Sequence, residues 1–396
     1  MQMTTLKTGR IGSIDLLRGA VMIIMALDHV RDYFHAGAFL YDPADLSQTT
    51  VFLFFTRWIT HFCAPIFVLL AGCSAYLSGQ RKTKPELASF LVKRGLWLIL
   101  LELTLINFAW AFNLSFGFQL LGVIWALGIG MICLAGSLFI PRKMVLVIGL
   151  LLVAGHNLLD GIHVPGKGLL AVGWAILHDQ KVFEYRSLFL FVGYPLIPWI
   201  GLILLGYCLG PIFSASYSPL QRKKLLLLLG MVCLAVFVLV RWINLYGNLQ
   251  PWSNQSSPLL TFLSFISISK YPPSLDYLLV TVGIALLFLA WTEKLSGPVA
   301  RAISVFGRVP FFYYLVHLYI IHVLALLAAV ISGRPWTDMV SFNTWISYNP
   351  NLRGYGFNLG IVYLVWISII LILYPLCKRY DAYKTKHREK WWLSYL

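Results

Sequence analysis

The chain has 396 residues, of which 59% are hydrophobic, 15% aromatic and 12% charged, and its mean hydropathy is +0.78; this excludes a soluble globular protein and implies a polytopic membrane protein. The net charge of +16 comes from basic residues scattered between apolar segments and not from one aromatic-interleaved patch, which argues against nucleic acid as a partner. Cys63, Cys73, Cys133, Cys208, Cys233 and Cys377 lie in or beside apolar segments without pairing or metal-type spacing, so they read as packed thiols and no metal is expected.

The first apolar segment, 13–34, follows Lys7 and Arg10 but contains Arg18 and the Asp28-His29 pair and lacks a small-residue cleavage pattern, so it reads as a retained span and not a signal peptide. Ionisable groups in a spanning helix cost about 2.5 to 3.5 kcal/mol each on insertion scales, so they mark sites. Asp15, Arg18 and His29 fall within an arc of about 60° on one helix face. Asp32 is better spaced than Asp28 to orient His29. The second segment, 51–79, carries Arg57 one turn before His61, then Pro65 and Gly72. The third, 90–112, carries Glu102 near mid-membrane, where it needs a partner such as Arg18, or a His or Tyr of another helix. Further segments fall at 116–139, 143–160, 190–213, 224–243, 273–292, 309–331 and 357–378, giving an all-α bundle of about ten spans in a single domain, 1–396. The ninth contains Tyr313, His317 and, on the opposite face, His322. For each intramembrane histidine the structural reading is a neutral imidazole bonded between helices, and the functional one is proton transfer.

Alternate connections are basic: Arg81, Lys82, Lys84, Lys93 and Arg94; Arg142 and Lys143; Arg222 to Lys224; Lys294, Arg301 and Arg308; and the tail from Lys378 to Lys390. The positive-inside rule then places both termini in the cytoplasm, with 1–12 as a short cytoplasmic N-terminus and 379–396, including Trp391 and Trp392, as an amphipathic surface tail. The longer loops, about 35–50, 161–189, 244–272 and 332–356, fall outside. They carry Trp252, Asn254, Trp336, Asn343, Trp345, Tyr348 and Asn349, which suit either an interfacial aromatic belt or a stacked, hydrogen-bonded sugar. No fixed repeat or inverted half is visible. A Gly-rich phosphate loop, His-Glu-x-x-His, Cys-x-x-Cys and Gly-x-Ser-x-Gly are absent.

The run Ser13-Ile-Asp15-Leu-Leu-Arg18-Gly19 with Met22, Met25 and Asp28-His29 resembles the start of the heparan-alpha-glucosaminide N-acetyltransferase-like family. The resemblance continues through His61 to Gly72, Lys93-Arg94-Gly95 with Glu102, Tyr194 to Gly201, Lys270 to Leu275, Phe306 to Pro310 with Tyr314 and His317, and Leu393 to Leu396, and is closest to bacterial members. The spacing of Arg18 and His29 also resembles that of the broader transmembrane acyltransferase superfamily. What the resemblance implies is a membrane enzyme, expected in a bacterial inner membrane, that moves an acetyl or other acyl group from cytoplasmic acyl-CoA to a sugar or glycan on the outer side.

On that reading acyl-CoA places its nucleotide near Arg81, Lys82, Lys93 and Arg94 and threads its pantetheine arm toward the bundle centre. His29 serves as general base or transient acyl carrier, with Arg18 or Tyr313 near the oxyanion and Asp28 and Arg57 toward substrate. His35 and His61 are alternative bases, and a homodimer is left open. The rivals are a proton-coupled transporter or flippase using the same buried groups, and bis-histidine haem ligation through residues such as His61 and His317.

Overall fold

The computed structural model describes residues 12–340, 344–387, 389–390 and 393. Lys7, Arg10, Asn343, Arg388, Trp391, Trp392 and Ser394 to Leu396 lie outside the described residues. The chain is mostly helical, in chain order α1 (Gly12–Phe34), α2 (Val51–Ile59), α3 (Cys63–Gly79), α4 (Lys84–Leu101), α5 (Asn107–Ala111), α6 (Val123–Ser137), α7 (Arg142–Gly155), α8 (Leu169–Leu177), α9 (Leu196–Leu209), α10 (Pro219–Ile243), α11 (Pro258–Ile266), α12 (Leu275–Thr292), α13 (Pro298–Arg308), α14 (Pro310–Ile331) and α15 (Leu359–Lys386). Each of the ten predicted segments contains a helix. Seven stretches are long and apolar enough to cross a membrane: Val51–Gly79, Arg142–Leu159, Leu196–Phe213, Pro219–Ile243, Leu275–Thr292, Pro310–Ile331 and Leu359–Lys386. The 23-residue α1 has spanning length but carries Asp15, Arg18, Asp28, Arg31 and Asp32. α6 is a 15-residue helix.

The all-α expectation needs correction. A three-stranded sheet of β1 (Phe118–Leu121), β2 (Lys181–Glu184) and β3 (Phe189–Val192) runs in the order β1-β3-β2. β1 pairs parallel with β3 from Phe118 opposite Phe189, and β2 pairs antiparallel with it from Lys181 opposite Val192. The segments expected at 116–139 and 190–213 therefore open as short strands, and their helices start only at Val123 and Leu196. Apolar runs of four residues are compatible with either state, and pairing partners decide. The surface tail also differs: α15 continues unbroken through Lys378 and Arg379 to Lys386, beginning at an Asn358 cap whose side chain accepts from the Ile361 N–H. Several other helix starts use the same chemistry, with Thr50, Ser257 and Ser274 capping α2, α11 and α12. Thr83 and Glu86 form a capping box at α4, and Ser218 and Gln221 form one at α10.

Small residues set the closest helix crossings. A Cβ on Gly307 of α13 would lie 1.9 Å from the Asp15 carbonyl oxygen of α1, and one on Gly72 of α3 would lie 2.2 Å from the Ile203 carbonyl oxygen of α9. Backbones this near each other admit only glycine. Gly307→Ala must therefore push α13 off α1, and a cost of about 1 to 3 kcal/mol is expected. Thermal unfolding in detergent checks it; an unchanged midpoint contradicts the crossing.

That crossing orients the bundle. The start of α1 meets the end of α13, where Arg308 Nε donates to Asp381 Oδ2 near the end of α15 at 2.7 Å. The start of α1 and the end of α15 thus share one end, here called the basic end. At the opposite, loop end, the Phe357 N–H donates to Phe34 O at 2.7 Å and Ala36 N–H to Phe357 O at 3.0 Å, tying the end of α1 to the start of α15.

Candidate functional site

His29 lies near the loop end of α1, and His317 lies two turns into α14. The fold places His29 Nδ1 2.8 Å from His317 Nε2, with the rings stacked at 4.9 Å between centroids. His317 is fully buried. Its Nδ1 lies 2.9 Å from the carbonyl oxygen of Tyr313, one turn back on α14. A carbonyl only accepts, so Nδ1 of His317 carries hydrogen, and in the neutral pair its Nε2 is a lone pair that accepts from Nδ1–H of His29. The remaining nitrogen, His29 Nε2, is then an unprotonated lone pair with no hydrogen-bonding partner among the described residues. This is the arrangement a general base needs: a free acceptor on one side and an oriented N–H on the other.

Trp110 of α5 packs edge-on against His29 at 4.9 Å and Tyr314 does so at 6.4 Å. The Trp110 carbonyl accepts from the Tyr33 hydroxyl at 2.5 Å, which fixes the short α5 against α1. Trp110 Nε1–H is buried and has no acceptor among the described residues.

His29 opens into a cavity of about 510 Å³ at the loop end, also lined by Trp110, Tyr194, Tyr271, Trp345 and Asn349. A second cavity, about 580 Å³, lies at the basic end, lined by Arg18, Arg94, Arg308, Lys384 and Lys390 and by the apolar Met22, Phe67, Leu98 and Phe311. Val123 and Tyr314 line both. Val123 and Tyr314 therefore stand between the two chambers, and Tyr314 packs edge-on to His29.

Below His29 on the cavity wall, Asp28 gathers charge from three directions. Its Oδ1 accepts from Arg31 Nη2 at 2.6 Å, Arg57 Nη1 at 3.0 Å and the Thr60 hydroxyl at 2.8 Å, and its Oδ2 from Lys270 Nζ at 3.3 Å. Arg31 Nη2 also reaches Asp32 Oδ1 at 2.7 Å. Asp32, expected to orient His29, is instead a partner of Arg31, and His317 does the orienting. Lys270 is delivered by the loop before α12, which Arg241 holds in place by donating to the carbonyls of Gln250, Ser264, Phe265 and Ser267.

The other predicted residues separate from this centre. Arg18 donates to Ser74 Oγ at 3.2 Å and Gly307 O at 3.4 Å and lies 3.7 Å from Asp15, at the basic end. It shares a helix face with His29 but stands eleven residues away, about 16 Å along the axis, so it is not beside His29. Glu102 is fully buried where the helix loosens to π geometry at Glu102–Ile106. Its Oε2 accepts from the Trp125 N–H at 3.0 Å, capping α6, and this replaces the expected Arg, His or Tyr partner. His61 packs edge-on against Tyr277 at 5.4 Å, and its Nδ1 has no partner among the described residues. Tyr313 lines neither cavity; its ring stacks on His317 at 5.2 Å and its hydroxyl is buried without a partner among the described residues. Tyr314, one residue on, lines both cavities. Of the basic residues expected at a nucleotide, Arg94 lines the basic cavity and Arg81, Lys82 and Lys93 do not. His35 sits at the Phe357 bridge, outside both cavities. His322 lies between the carbonyls of Ala109 and Met339 at 2.7 and 2.6 Å, away from His317. With both ring nitrogens of His317 engaged in hydrogen bonds, haem ligation through it has no free donor.

Sequence reasoning singled out His29 and His317 separately because each is costly in a membrane. It missed Lys270, Trp110 and Arg31 as members of the centre. Lys270 stood in a loop between apolar segments, with no periodicity to direct it inward. No curated protein matches the chain. Residues 10–241 match the family described as heparan-alpha-glucosaminide N-acetyltransferase, catalytic, a stretch holding His29, Asp28, Arg57, Trp110 and Arg94 of the two cavities. The chain is a multi-pass membrane protein that belongs to the heparan-alpha-glucosaminide N-acetyltransferase family of membrane acetyltransferases.

Proposed function

We propose that the protein transfers an acetyl or other short acyl group from acyl-CoA, bound in the basic-end cavity, to a hydroxyl or amine of a sugar or glycan in the loop-end cavity, with His29 as general base. The observation that carries this reading is a pair of chambers, one at each end of the bundle, that share Tyr314 as a wall residue beside a histidine whose Nε2 has no partner among the described residues. The basic end then faces the cytoplasm of a bacterial inner membrane, in line with the positive-inside rule. Arg94, Arg308, Lys384 and Lys390 are suited to the phosphates of the nucleotide, and the apolar lining of Met22, Phe67, Leu98 and Phe311 to the pantetheine arm.

His29 Nε2 takes the proton from the acceptor O–H or N–H as the acceptor atom bonds to the thioester carbonyl carbon. The positive charge that develops on His29 is shared through Nδ1–H with His317. The C–S bond then breaks, and the thiolate of CoA leaves with the proton returned by His29, so no net charge stays on the enzyme. The Trp110 Nε1–H and the Tyr314 hydroxyl border the reacting carbonyl as candidate donors to its oxygen. Asp28, with Arg57, holds the acceptor side of the cavity.

Thermal stabilisation of the purified protein by acetyl-CoA, against CoA and ATP, tests the donor. Arg94→Ala is expected to weaken acetyl-CoA binding about tenfold or more, the loss of a charge-assisted contact worth about 1.5 to 3 kcal/mol, and His29→Ala to leave binding intact. No shift with acetyl-CoA at any concentration, together with substrate accumulation in vesicles lacking CoA, moves the reading to a transporter.

A further inference from the structure

Resting on the acyltransferase reading, we infer that the acceptor carries an anionic group, a carboxylate or phosphate, and that Arg57 and Lys270 bind it beside His29.

The charge count at the cavity wall is uneven. Four cations, Arg31, Arg57, Lys270 and Arg353, line it against three carboxylates, Asp28, Asp32 and Asp42, and Asp28 alone is shared by Arg31, Arg57 and Lys270. Asp28 is saturated: its two oxygens already accept from Arg31, Arg57, Lys270 and Thr60. The cations are not. A guanidinium has five N–H donors and an ammonium three. Arg57 places only Nη1 on a described acceptor, and Lys270 Nζ reaches only Asp28 Oδ2. Both line the cavity that holds His29, and both pack on Tyr271, at 6.0 and 5.1 Å from its ring centroid. Leftover donors in pairs beside a planar aromatic wall fit a two-oxygen anion on a ring-shaped molecule.

An excess positive charge on the wall of a partly apolar chamber is costly alone and favourable once an oxyanion completes it. Binding of an uncharged sugar leaves those donors facing carbon or single hydroxyls. An acidic sugar satisfies them and, by fixing one end of the ring, presents a hydroxyl or amine to His29 Nε2.

The test compares acceptors that differ only in charge. With the full chain in lipid nanodiscs, CoA release from acetyl-CoA is followed with glucose against glucuronate, the carboxylate arm, and glucosamine against glucosamine 6-phosphate, the phosphate arm. Thermal stabilisation by the same four sugars is read without acetyl-CoA. The expected result is at least tenfold higher kcat/KM for one or both acidic acceptors. Lys270→Gln should raise KM for the acidic acceptor at least tenfold with kcat nearly unchanged, should narrow the preference for acidic over neutral acceptors accordingly, and should be rescued in part by Lys270→Arg. Equal use and equal stabilisation by neutral and acidic partners, insensitive to Lys270→Gln, overturn the inference while CoA release keeps the acyltransferase reading. Acid-sugar stabilisation that is lost in Lys270→Gln but comes without any CoA release supports the anion site and removes the acyltransferase reading instead.

Discussion

His29→Ala is expected to cut acetyl transfer by about 10²- to 10⁴-fold, the usual contribution of a positioned base, while the protein still folds and still binds acetyl-CoA. The side chain is half-buried at a cavity wall, so its removal widens a chamber and does not empty a packed core. His317→Ala is expected to be nearly as damaging although His317 lines neither cavity. It removes the acceptor that holds Nδ1–H of His29, so the imidazole is free to rotate and to present Nδ1 in place of Nε2. Because the two act as one unit, the double variant should be little worse than His29→Ala. Steady-state rates of the three variants check this; additive losses would mean that the histidines work separately.

Asp28→Leu is expected to be the most destabilising single change in the centre, by about 3 to 5 kcal/mol, because it leaves buried cations without their shared carboxylate. Arg31 is 2% exposed and Lys270 7% exposed, so both are largely withdrawn from water. Lys270→Met added to Asp28→Leu should recover part of the loss by removing one of the stranded charges. Thermal unfolding of the two singles and the double gives the coupling directly. A small loss for Asp28→Leu, with no coupling to Lys270, contradicts the cluster's role in stability.

How much of this could be read from the chain alone depends on range. Apolar length located a helix in each of ten segments, since the cost of unpaired backbone in lipid leaves few other states. It misread 118–121 and 189–192, where apolar residues are strands whose partners lie far away in sequence. In the tail, basic residues mark a surface segment but not where the helix ends: α15 runs on through them to Lys386, with Asp381 tied to Arg308. At the site, the expense of Asp28, His29 and His317 in a membrane was legible residue by residue. Their assembly was not: His29 and His317 are 288 residues apart, and Asp28 and Lys270 are 242 apart. The choice of Tyr313 over Tyr314 shows the limit of spacing arguments, because one residue turns a helix by about 100° and separates a side chain stacked behind His317 from one that lines both cavities. Arg18 on the face of His29 makes the same point along the axis, since a shared face does not bring together groups eleven residues apart.

The central claim is that donor and acceptor reach His29 from opposite ends of the bundle. It is tested most directly in proteoliposomes of defined orientation, with acetyl-CoA supplied only at the basic end and an acceptor sugar enclosed only at the loop end. The account predicts acetylated sugar in the loop-end compartment, CoA left on the donor side, and neither with His29→Ala. Product that forms only when donor and acceptor share one compartment contradicts it.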